Sequence, residues 1–472
     1  SVVWTDPEYF EIASGATGET LWSDIAGIFR ARSAGDADGD GFEDIVVAAP
    51  NGSTLNQIQV RSTKWGLLWQ ASGLRNHDYG DSILGDLDVN GDGRPDVLVT
   101  TAVSSASSVY VHDHSGQLLY QVPCSVQGRL AESLCSMGDL DGDGCDDFLI
   151  GCLDNSGRGV QWLGSRHRGT TIRETYGLLP GGHNCEHVSN LGDIDGDGVS
   201  DYAAFPYLSA ARLIAVAYSG ATGAVIRSWT DYANSVVTGE DFDQDGVNDI
   251  VTGADWVLDV NNVGRTHCWS GRDDTQLRRV TVVPIYPLSV NGHNWMRSSA
   301  SLGVQPGNPY PVMAWLDPEW YMAGTVNGRI RAFRGAFAGQ GPVTSTACTN
   351  AGELPLIGAR KLGAGAANTD ARVTVAKTHA NALAVLQLAF APLPSPVDLS
   401  AFGFAGCTVY LDPLAAVLRT TGSQGIDRGY ACVDLGHPLS AAASGTDLVA
   451  QWLVYDPTTL AYAATRMHAL RL

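Results

Sequence analysis

The stretch Asp36-Ala-Asp-Gly-Asp-Gly-Phe-Glu-Asp44 decides the fold, because a closely similar nonapeptide recurs four more times along the chain. The first residues of the five copies are separated by 52, 51, 54 and 48 positions, and the later copies begin at Asp88, Asp139, Asp193 and Asp241. A short apolar run follows each copy, as at residues 45–48 and 97–99. Because these runs are short and bounded by Gly, Asn and Asp, they predict β-strands rather than helices. A repeat of about fifty residues with strand-like content is the length of one four-stranded propeller blade.

Each nonapeptide offers the oxygen donors that a calcium ion prefers. Positions 1, 3 and 5 carry carboxylates, with Asn90 as one substitution, and position 9 is Asp in all five copies. Position 7 varies freely, as expected if it contributes only its backbone carbonyl. Ca²⁺ takes six to eight oxygens, and Gly at positions 4 and 6, with Gln244 as the one exception, permits the positive φ that wraps a backbone around an ion. Since such dense carboxylates would repel one another without a cation, the pattern predicts about five calcium ions.

The five segments resemble the FG-GAP (VCBS-type) repeat of the integrin α propeller and of many secreted bacterial proteins, over about residues 1–340. The resemblance implies an all-β fold in which a six- or seven-bladed β-propeller occupies residues 1–343 and each loop binds Ca²⁺ between the first two strands of a blade. The nearest relics of the FG and GAP signatures are Tyr79-Gly80 and Ala48-Ala49-Pro50. Matched by position, the expected ligands are Asp36, Asp38, Asp40, Phe42 and Asp44; Asp88, Asn90, Asp92, Arg94 and Asp96; Asp139, Asp141, Asp143, Cys145 and Asp147; Asp193, Asp195, Asp197, Val199 and Asp201; and Asp241, Asp243, Asp245, Val247 and Asp249.

Two further regions complete the predicted architecture. Residues 285–340 have the length of a blade but lack the acids, so we expect no calcium at the eroded loop of residues 290–294. The N-terminal hairpin, residues 9–22, is expected to pair with the last blade and close the ring, or else to pair with another subunit. From Thr344 the acidic loops stop, and a C-terminal β-sandwich is predicted over residues 344–472, with strands at residues 383–390, 408–411, 430–435 and 448–455. Nine cysteines leave at least one thiol, and a Cys348–Cys407 disulfide is expected in this domain.

Charge and hydropathy narrow the partners and the location. The net charge is −21, and nineteen of the fifty acids fall at the predicted ligand positions, so five Ca²⁺ would add ten positive charges and leave −11. An acidic surface repels phosphate backbones, and we therefore expect no nucleic-acid partner. No run of 18 apolar residues predicts a transmembrane segment. Ser1 is followed directly by folded-looking sequence, and with the cysteine content this favours a processed, secreted protein in an extracellular or cell-surface setting.

Patterns typical of catalysis are missing from the sequence. It contains no G-x-S-x-G, P-loop or H-E-x-x-H motif, so we expect that the protein is not an enzyme. The alternating His183, Cys185 and His187 fall in a predicted strand, where packing is favoured over a transition-metal site. The segment His112-Asp113-His114 is predicted to be a solvated hairpin turn. Tryptophans in strand contexts, such as Trp69, Trp229 and Trp315, are expected to pack in cores rather than to stack on sugars.

The leading functional hypothesis is a non-catalytic, extracellular, calcium-binding structural or adhesive protein with a protein or glycan ligand. Self-association into a fibre or surface layer is one version of it, because head-to-tail contacts that do not close make filaments. A carbohydrate-binding propeller is the alternative. A polysaccharide-active enzyme is less favoured, since a propeller fold does not decide function and no residue set supports catalysis.

Overall fold

The computed structural model describes residues 2–471 except 7–8, 14–18, 25–29, 50–55, 65, 74–78, 102–107, 124–132, 154–158, 166–169, 177–182, 208–214, 230–234, 255–263, 283–298, 305–310, 323–324, 335–344, 362–370 and 436–446. The described residues form β-strands and two short 3₁₀ turns, Ser400–Phe402 (η1) and Gly425–Asp427 (η2). The predicted all-β fold class is thereby confirmed. Contacts divide the chain into two compact units, of which the first comprises Ser1–Asn190 with Ser200–Asn234 and the second Leu191–Val199 with Ser235–Leu472. A domain boundary between residues 343 and 344 stays a prediction.

In the first unit the strands form successive antiparallel meanders, in which each strand pairs with the next along the chain. The predicted N-terminal hairpin belongs to a three-stranded sheet of Val2–Asp6 (β1), Tyr9–Ala13 (β2) and Thr20–Asp24 (β3). Closure of a ring by this sheet, and the number of blades, stay predictions. Four-stranded sheets follow, and their strands are Arg30–Gly35 (β4), Asp44–Ala49 (β5), Gln57–Ser62 (β6) and Gly66–Ser72 (β7); Tyr79–Leu87 (β8), Asp96–Thr101 (β9), Ser108–His112 (β10) and Leu118–Pro123 (β11); Ser133–Gly138 (β12), Asp147–Leu153 (β13), Gly159–Ser165 (β14) and Thr170–Tyr176 (β15); and His183–Gly192 (β16), Asp201–Tyr207 (β17), Ala215–Tyr218 (β18) and Val225–Trp229 (β19).

The alternation of side chains along the strands explains how these sheets stack. Val97 and Val99 of β9 lie in one core with residues of β5 and β6, whereas Leu98 lies in another core with Phe148 and Ile150 of β13. Successive side chains of a strand point to opposite faces of its sheet, so the sheet β8–β11 is buried on both faces. A third core joins residues of β13 to residues of β17 and β18. The sheets from β4 to β19 therefore pack face to face in chain order, as the blades of a propeller do.

The two relics of the repeat signature contact each other. Gly80, near the start of β8, has a φ of 97°, and a Cβ atom added to it would lie 2.8 Å from the Cβ atom of Ala48 in β5. Ala48 and Tyr79 are both buried in the core that the two sheets share. Glycine is required here by the backbone conformation and by the close approach of the sheets. The Tyr79-Gly80 and Ala48-Ala49 sequences thus mark a packing contact between successive sheets.

The second unit contains two further meanders and a set of C-terminal strands. The meander strands are Ser235–Glu240 (β20), Asp249–Ala254 (β21), Gly264–Trp269 (β22) and Gln276–Val282 (β23), followed by Ser299–Val304 (β24), Pro311–Met322 (β25) and Thr325–Arg334 (β26). The C-terminal strands are Cys348–Thr349 (β27), Leu356–Lys361 (β28), Ala371–Ala376 (β29), Leu383–Ala389 (β30), Val397–Asp398 (β31), Thr408–Val409 (β32), Ala415–Thr420 (β33), Ala431–Leu435 (β34), Asp447–Asp456 (β35), Ala461–Ala464 (β36) and His468–Arg471 (β37). The four predicted C-terminal strands are present, although the one at 408–411 is shorter than expected. The eroded loop predicted at 290–294 lies outside the described residues.

The C-terminal strands share one apolar core. One sheet contains β28, β29 and β34, and the other contains β27, β36, β35, β30 and β33, with β37 paired to β35. Trp452 of β35 is fully buried in the same core as Val373 of β29 and Val433 of β34. Two sheets around a common core are what a β-sandwich requires, so the arrangement supports that prediction.

A disulfide connects β27 to the segment that follows η1. Cys348 and Cys407 are bonded, with Cα atoms 5.2 Å apart, so the predicted pairing is confirmed. Both residues are buried beside Ala464 of β36. In the part of the chain that the structure describes, Cys135 and Cys268 are free thiols. An odd number of cysteines requires that at least one of them forms no disulfide within the chain.

Candidate metal centres

The five acidic nonapeptides occupy equivalent places in five sheets. They are named here the first to fifth loops and comprise residues 36–44, 88–96, 139–147, 193–201 and 241–249. Each loop follows the first strand of a four-stranded meander and ends on the first residue of the second strand, as Asp44 does at the start of β5. This is the location that the sequence predicts.

A common network of backbone amides holds the carboxylates of all five loops. The N–H of position 6 donates to Oδ2 of position 1 at 2.8–2.9 Å, and the N–H of position 7 donates to Oδ1 of position 5 at 2.9–3.1 Å. The N–H of position 5 donates to Oδ1 of both position 1 and position 3 at 2.8–3.2 Å. Position 2 donates to Oδ2 of position 9 at 2.7–3.0 Å in the first, second, third and fifth loops. The side chains are therefore positioned by the backbone before any ion binds.

The oriented carboxylates converge on one point in four of the loops. Within each group their oxygens lie within 4.8 Å of one another, and the groups are Asp36, Asp38 and Asp40; Asp139, Asp141 and Asp147; Asp193, Asp195 and Asp197; and Asp241, Asp243 and Asp249. The second loop has the same backbone network but offers the amide oxygen of Asn90 at position 3. Oδ1 of Asp44 and Oδ1 of Asp147 are buried and have no hydrogen-bond partner among the described residues. An all-oxygen donor set with buried, unsatisfied carboxylate atoms fits a calcium ion.

The electrostatics of the loops also favour a cation. Burial, together with the charges of Asp92 and Asp88, raises the pKa of Asp96 to about 8. Burial and the neighbouring Asp141 and Asp143 raise the pKa of Asp147 to about 6. In both cases the ionised carboxylate is disfavoured because it is removed from water close to other negative charges. A divalent ion at the convergence point would remove this penalty. Ligation by these carboxylates and by the position-7 carbonyls stays a prediction.

In the second, third and fifth loops the residue at position 8 contacts the preceding loop or the residue just before it, which sequence reasoning missed. Asp146, at position 8 of the third loop, accepts the N–H of Asp88 through Oδ2 at 2.8 Å, and its own N–H donates to the Asp88 carbonyl at 2.8 Å. In the second loop Pro95 lies against Gly35, and in the fifth loop Asn248 lies against Gly192, so closely that a Cβ on either glycine would meet it within 3 Å. The side chain at position 8 varies from loop to loop, so the sequence contains no pattern that would have revealed these contacts.

The fifth loop differs from the others in its burial. Asp243 and Asp245 are 4% and 0% exposed, whereas the equivalent Asp38 and Asp40 of the first loop are half-buried. Arg360 of β28 forms an ion pair with Asp243 at 2.9 Å. Burial first, and then the neighbouring loop carboxylates, raise the pKa of Asp243 well above its usual range, in spite of the arginine. The arginine is a component of this loop that no motif predicted, since it lies far along the chain.

Other predicted functional residues have different surroundings from those expected. The prediction of a solvated turn is wrong for His112, which is buried, lies 2.7 Å through Nε2 from the Tyr79 hydroxyl, and has its pKa lowered by burial. His114 lies 3.5 Å from Asp92 in the second loop. Trp229 is buried as predicted, and the ring of Trp69 packs against the ring of His112. His183, Cys185 and His187 fall on β16 and Trp315 falls on β25, but their side chains lie outside the described part of the structure.

Comparison with known protein families identifies the repeats. An FG-GAP-like repeat model matches residues 88–150, which contain the second and third loops, and an FG-GAP repeat model matches residues 33–60, which contain the first. These matches agree with the family resemblance of the five nonapeptides.

Curated relatives are integrin α chains. Integrin alpha-4 of Xenopus laevis is 27% identical over 194 residues, or 35% of this chain and 18% of that protein. Integrin alpha-PS2 and integrin alpha-PS5 of Drosophila melanogaster are 28% and 27% identical over 150 and 145 residues, or 27% and 26% of this chain. The matched region spans less than a fifth of each of these relatives, at 18%, 11% and 14% of their length.

Similar solved structures include a propeller and a protein of unknown function, both at low sequence identity. The Dos1 propeller has a TM-score of 0.38 at 11% identity, covering 78% of this chain and 81% of that one. A functionally unknown protein from Desulfotomaculum acetoxidans has a TM-score of 0.41 at 11% identity, covering 70% of this chain and 98% of that one.

Proposed function

From the premise that this chain belongs to the FG-GAP β-propeller family, we propose that it is a non-catalytic extracellular protein whose five loops bind Ca²⁺ and whose propeller presents an adhesive surface to a protein ligand. The observation that carries the proposal is the shared geometry of the loops: the same amides orient the same carboxylate positions in all five. Carboxylates arranged in this way serve an ion and not a substrate.

Calcium acts in this proposal as a structural element. Each loop joins the first two strands of a sheet, and in the first unit successive loops contact each other through position 8. An ion that binds only the folded state stabilises it by mass action. The ions would therefore hold the loops in a fixed conformation. A binding surface with a fixed conformation lowers the entropic cost of binding a partner.

The relationship to integrin α chains supports adhesion. The FG-GAP repeats and these relatives support an adhesion-type propeller protein. We therefore take a protein ligand as the proposed partner. A glycan ligand and assembly into filaments remain outcomes that the experiments below distinguish.

Two observations support the extracellular location. The Cys348–Cys407 disulfide is of the kind that persists in oxidising compartments. The relatives of this chain are integrin α chains, which are surface proteins.

In the described residues, no helix has the length and apolar character needed to span a membrane.

The calcium part of the proposal is tested by counting ions. Native mass spectrometry of the full chain should show five bound Ca²⁺, and thermal unfolding in EGTA should occur at a lower temperature than in calcium. Replacement of Asp38 by Ala in the first loop should remove one ion and leave four, because alanine offers no ligand oxygen at position 3. An unchanged melting temperature on chelation would contradict calcium loading.

The adhesive part is tested by binding. Beads coated with the full chain should adhere to some members of a panel of immobilised extracellular-matrix proteins in calcium and should detach in EGTA. The purified protein is also applied to a glycan array and examined by electron microscopy, so that protein binding, glycan binding and filament formation are measured separately. Binding to glycans without binding to proteins would instead support the carbohydrate-binding alternative, and filaments without adhesion would support a purely structural role.

A further inference from the structure

The fifth loop is covered by the C-terminal strands of its own compact unit. Gly358 of β28 lies so close to the loop backbone that an added Cβ would overlap the Asp243 carbonyl oxygen. A Cβ on Gly246, at position 6 of the loop, would lie 2.8 Å from the Cβ of Ala376 in β29. Both β28 and β29 therefore rest directly on the loop, and the glycines are what permits this approach.

Two arginines reach the carboxylates of the covered loop. Arg360 of β28 is buried, pairs with Asp243 through Nη1 at 2.9 Å, and also pairs with Asp273. Arg272, in the turn after β22, places Nε 3.4 Å from Oδ2 of Asp245 and donates from Nη2 to the Asp245 carbonyl at 2.7 Å. The two guanidinium groups approach the loop from different elements, one from its own sheet and one from the C-terminal strands.

The C-terminal strands hold Arg272 in place as well. Its guanidinium lies 3.7 Å from the ring centre of Tyr430 and pairs with Asp427 of η2 at 2.9 Å. The same turn η2 packs on the fourth loop, where a Cβ on Gly196 would overlap Ile426. One face of the C-terminal strands is therefore built around the fourth and fifth loops.

The departure of the fifth loop from the repeat pattern is explained by this cover. Gln244 stands where the other loops have glycine, and it keeps the left-handed backbone with a φ of 57°. Its side chain is buried, and Oε1 lies 3.4 Å from Nη2 of Arg466, between β36 and β37. A glutamine in this conformation is tolerated because the C-terminal segment supplies it with a partner.

The charged groups that line the loop leave a net negative charge, even before the more exposed Asp273 and Asp427, which also pair with the two arginines, are counted. Four acids, Asp241, Asp243, Asp245 and Asp249, and two arginines, Arg272 and Arg360, give a net charge of −2 (four negative and two positive charges). Buried groups require near neutrality, because an uncompensated charge away from water is strongly unfavourable. One Ca²⁺ brings the sum to zero.

We propose that the fifth loop holds a sealed calcium ion, which β28 and β29 cover and which Arg360 and Arg272 balance in charge, so that this ion leaves only when the C-terminal strands detach. The ions of the exposed loops exchange with solvent directly. The inference rests on the calcium loading proposed above, and it assigns to the C-terminal strands the role of retaining one ion in a calcium-poor medium.

The release of radiolabelled Ca²⁺ from the full chain into excess EGTA tests the seal. We expect most ions to leave in a fast phase and one ion per chain to leave at least about tenfold more slowly, because the covering strands must open first. Replacement of Asp243 by Ala should remove the slow ion, whereas replacement of Asp38 by Ala, at the same position of the first loop, should remove a fast one.

Variants of the cover separate its charge from its fit. Arg360→Gln removes the positive charge of the guanidinium, and Gly358→Ala displaces β28 without changing any charge. In each variant the slow phase should merge with the fast phase. Arg360→Lys keeps the charge and should give an intermediate rate, which preserves the test if Arg360→Gln does not fold. Lys64→Gln is the matched control, since Lys64 lies 3.7 Å from Asp40 of the exposed first loop and should leave the slow phase unchanged.

The possible outcomes distinguish this inference from the function that it extends. If no ion binds, the calcium proposal itself fails. If ions bind but all leave in one phase, or if Gly358→Ala and Arg360→Lys leave the slow phase unaltered, there is no seal. If wild-type protein and Asp243→Ala bind the same number of ions, the arginines neutralise the fifth loop without calcium, and the inference is overturned.

Discussion

Replacement of Asp147 by Asn should stabilise the calcium-free protein and reduce the stabilisation that calcium adds. Asp147 is the last residue of the third loop and is fully buried. Its Oδ2 accepts the N–H of Leu140 at 2.8 Å, and its Oδ1 has no hydrogen-bond partner among the described residues. Asparagine can still accept the hydrogen bond from Leu140, so the substitution removes a charge while changing the shape of the side chain very little.

The variant should gain less stability from calcium than the wild type does. A protein loop of the sensor class binds Ca²⁺ with a dissociation constant of about 10⁻⁵ M or below, so about 1 mM calcium is at least 100 times that constant. Mass action then adds about 2.7 kcal/mol to the free energy of unfolding for each site. Loss of the Asp147 ligand should remove most of this contribution from the third loop.

Without calcium the variant should be more stable than the wild type. Burial, with the charges of Asp141 and Asp143, raises the pKa of Asp147 to about 6, whereas an Asp in the unfolded chain titrates near its ordinary value. The folded state therefore binds more protons than the unfolded state between these two pKa values, and the stability of the calcium-free protein falls as the pH rises through that window. A shift of about two pKa units lowers the free energy of unfolding of the calcium-free wild type by about 3 kcal/mol at most above pH 6. The asparagine variant does not have this loss, because its side chain does not ionise.

Urea unfolding at pH 7, followed by circular dichroism, measures both effects in calcium and in EGTA. The gain of the Asp147→Asn variant in EGTA should shrink when the measurement is repeated near pH 4, because the wild-type carboxyl is then protonated in the folded state. Asp412→Asn changes the same net charge at an exposed position far along the chain and should be close to neutral in every condition. A variant that gains as much free energy of unfolding from calcium as the wild type would refute the assignment of Asp147 as a calcium ligand, and a variant less stable than the wild type in EGTA would refute the electrostatic argument.

Three other predictions test the fold. Gly80→Ala should lower the free energy of unfolding by about 2–4 kcal/mol, from its left-handed backbone and its contact with Ala48, and Ala48→Gly should restore part of the loss in a double-mutant cycle. Reduction of Cys348–Cys407, which are 59 positions apart, should cost about 4 kcal/mol, measured by denaturant unfolding with and without dithiothreitol. Burial lowers the pKa of His468 to about 3, so its contribution to stability is lost as the pH falls from about 6.5, and His468→Gln should show a shallower loss between pH 6.5 and 5 than the wild type.

The repeated part of the fold was predictable because its information is local. Each nonapeptide contains the carboxylates, the glycines and the following strand within about fifteen residues, and hydrogen bonds inside the loop fix the geometry without help from elsewhere. The strands β5, β9, β13, β17 and β21 begin at the position-9 aspartates, as the apolar runs indicated. The Cys348–Cys407 disulfide was also predicted correctly.

Contacts that join distant segments were not predictable. Arg360 pairs with Asp243 across 117 positions, and nothing in the surroundings of either residue in the sequence indicates the other. His112 was expected in solvent because its neighbours are polar, but the strand β10 turns its ring toward Tyr79 of β8. In both cases a single polar side chain was judged by its local sequence, whereas its environment is set by the packing of sheets.

The fifth loop departs from the repeat at position 4, and the residues that surround this position explain the departure. Four loops have glycine at position 4, where glycine adopts the left-handed backbone without the steric penalty of a Cβ atom. Gln244 keeps the same backbone conformation, so the substitution has not changed the shape of the loop. What differs is the partner available to a side chain at position 4, since Arg466 of the C-terminal segment lies 3.4 Å from Oε1 of Gln244. The substitution is thus explained by the C-terminal strands, and the same strands decide how fast an ion in that loop could leave.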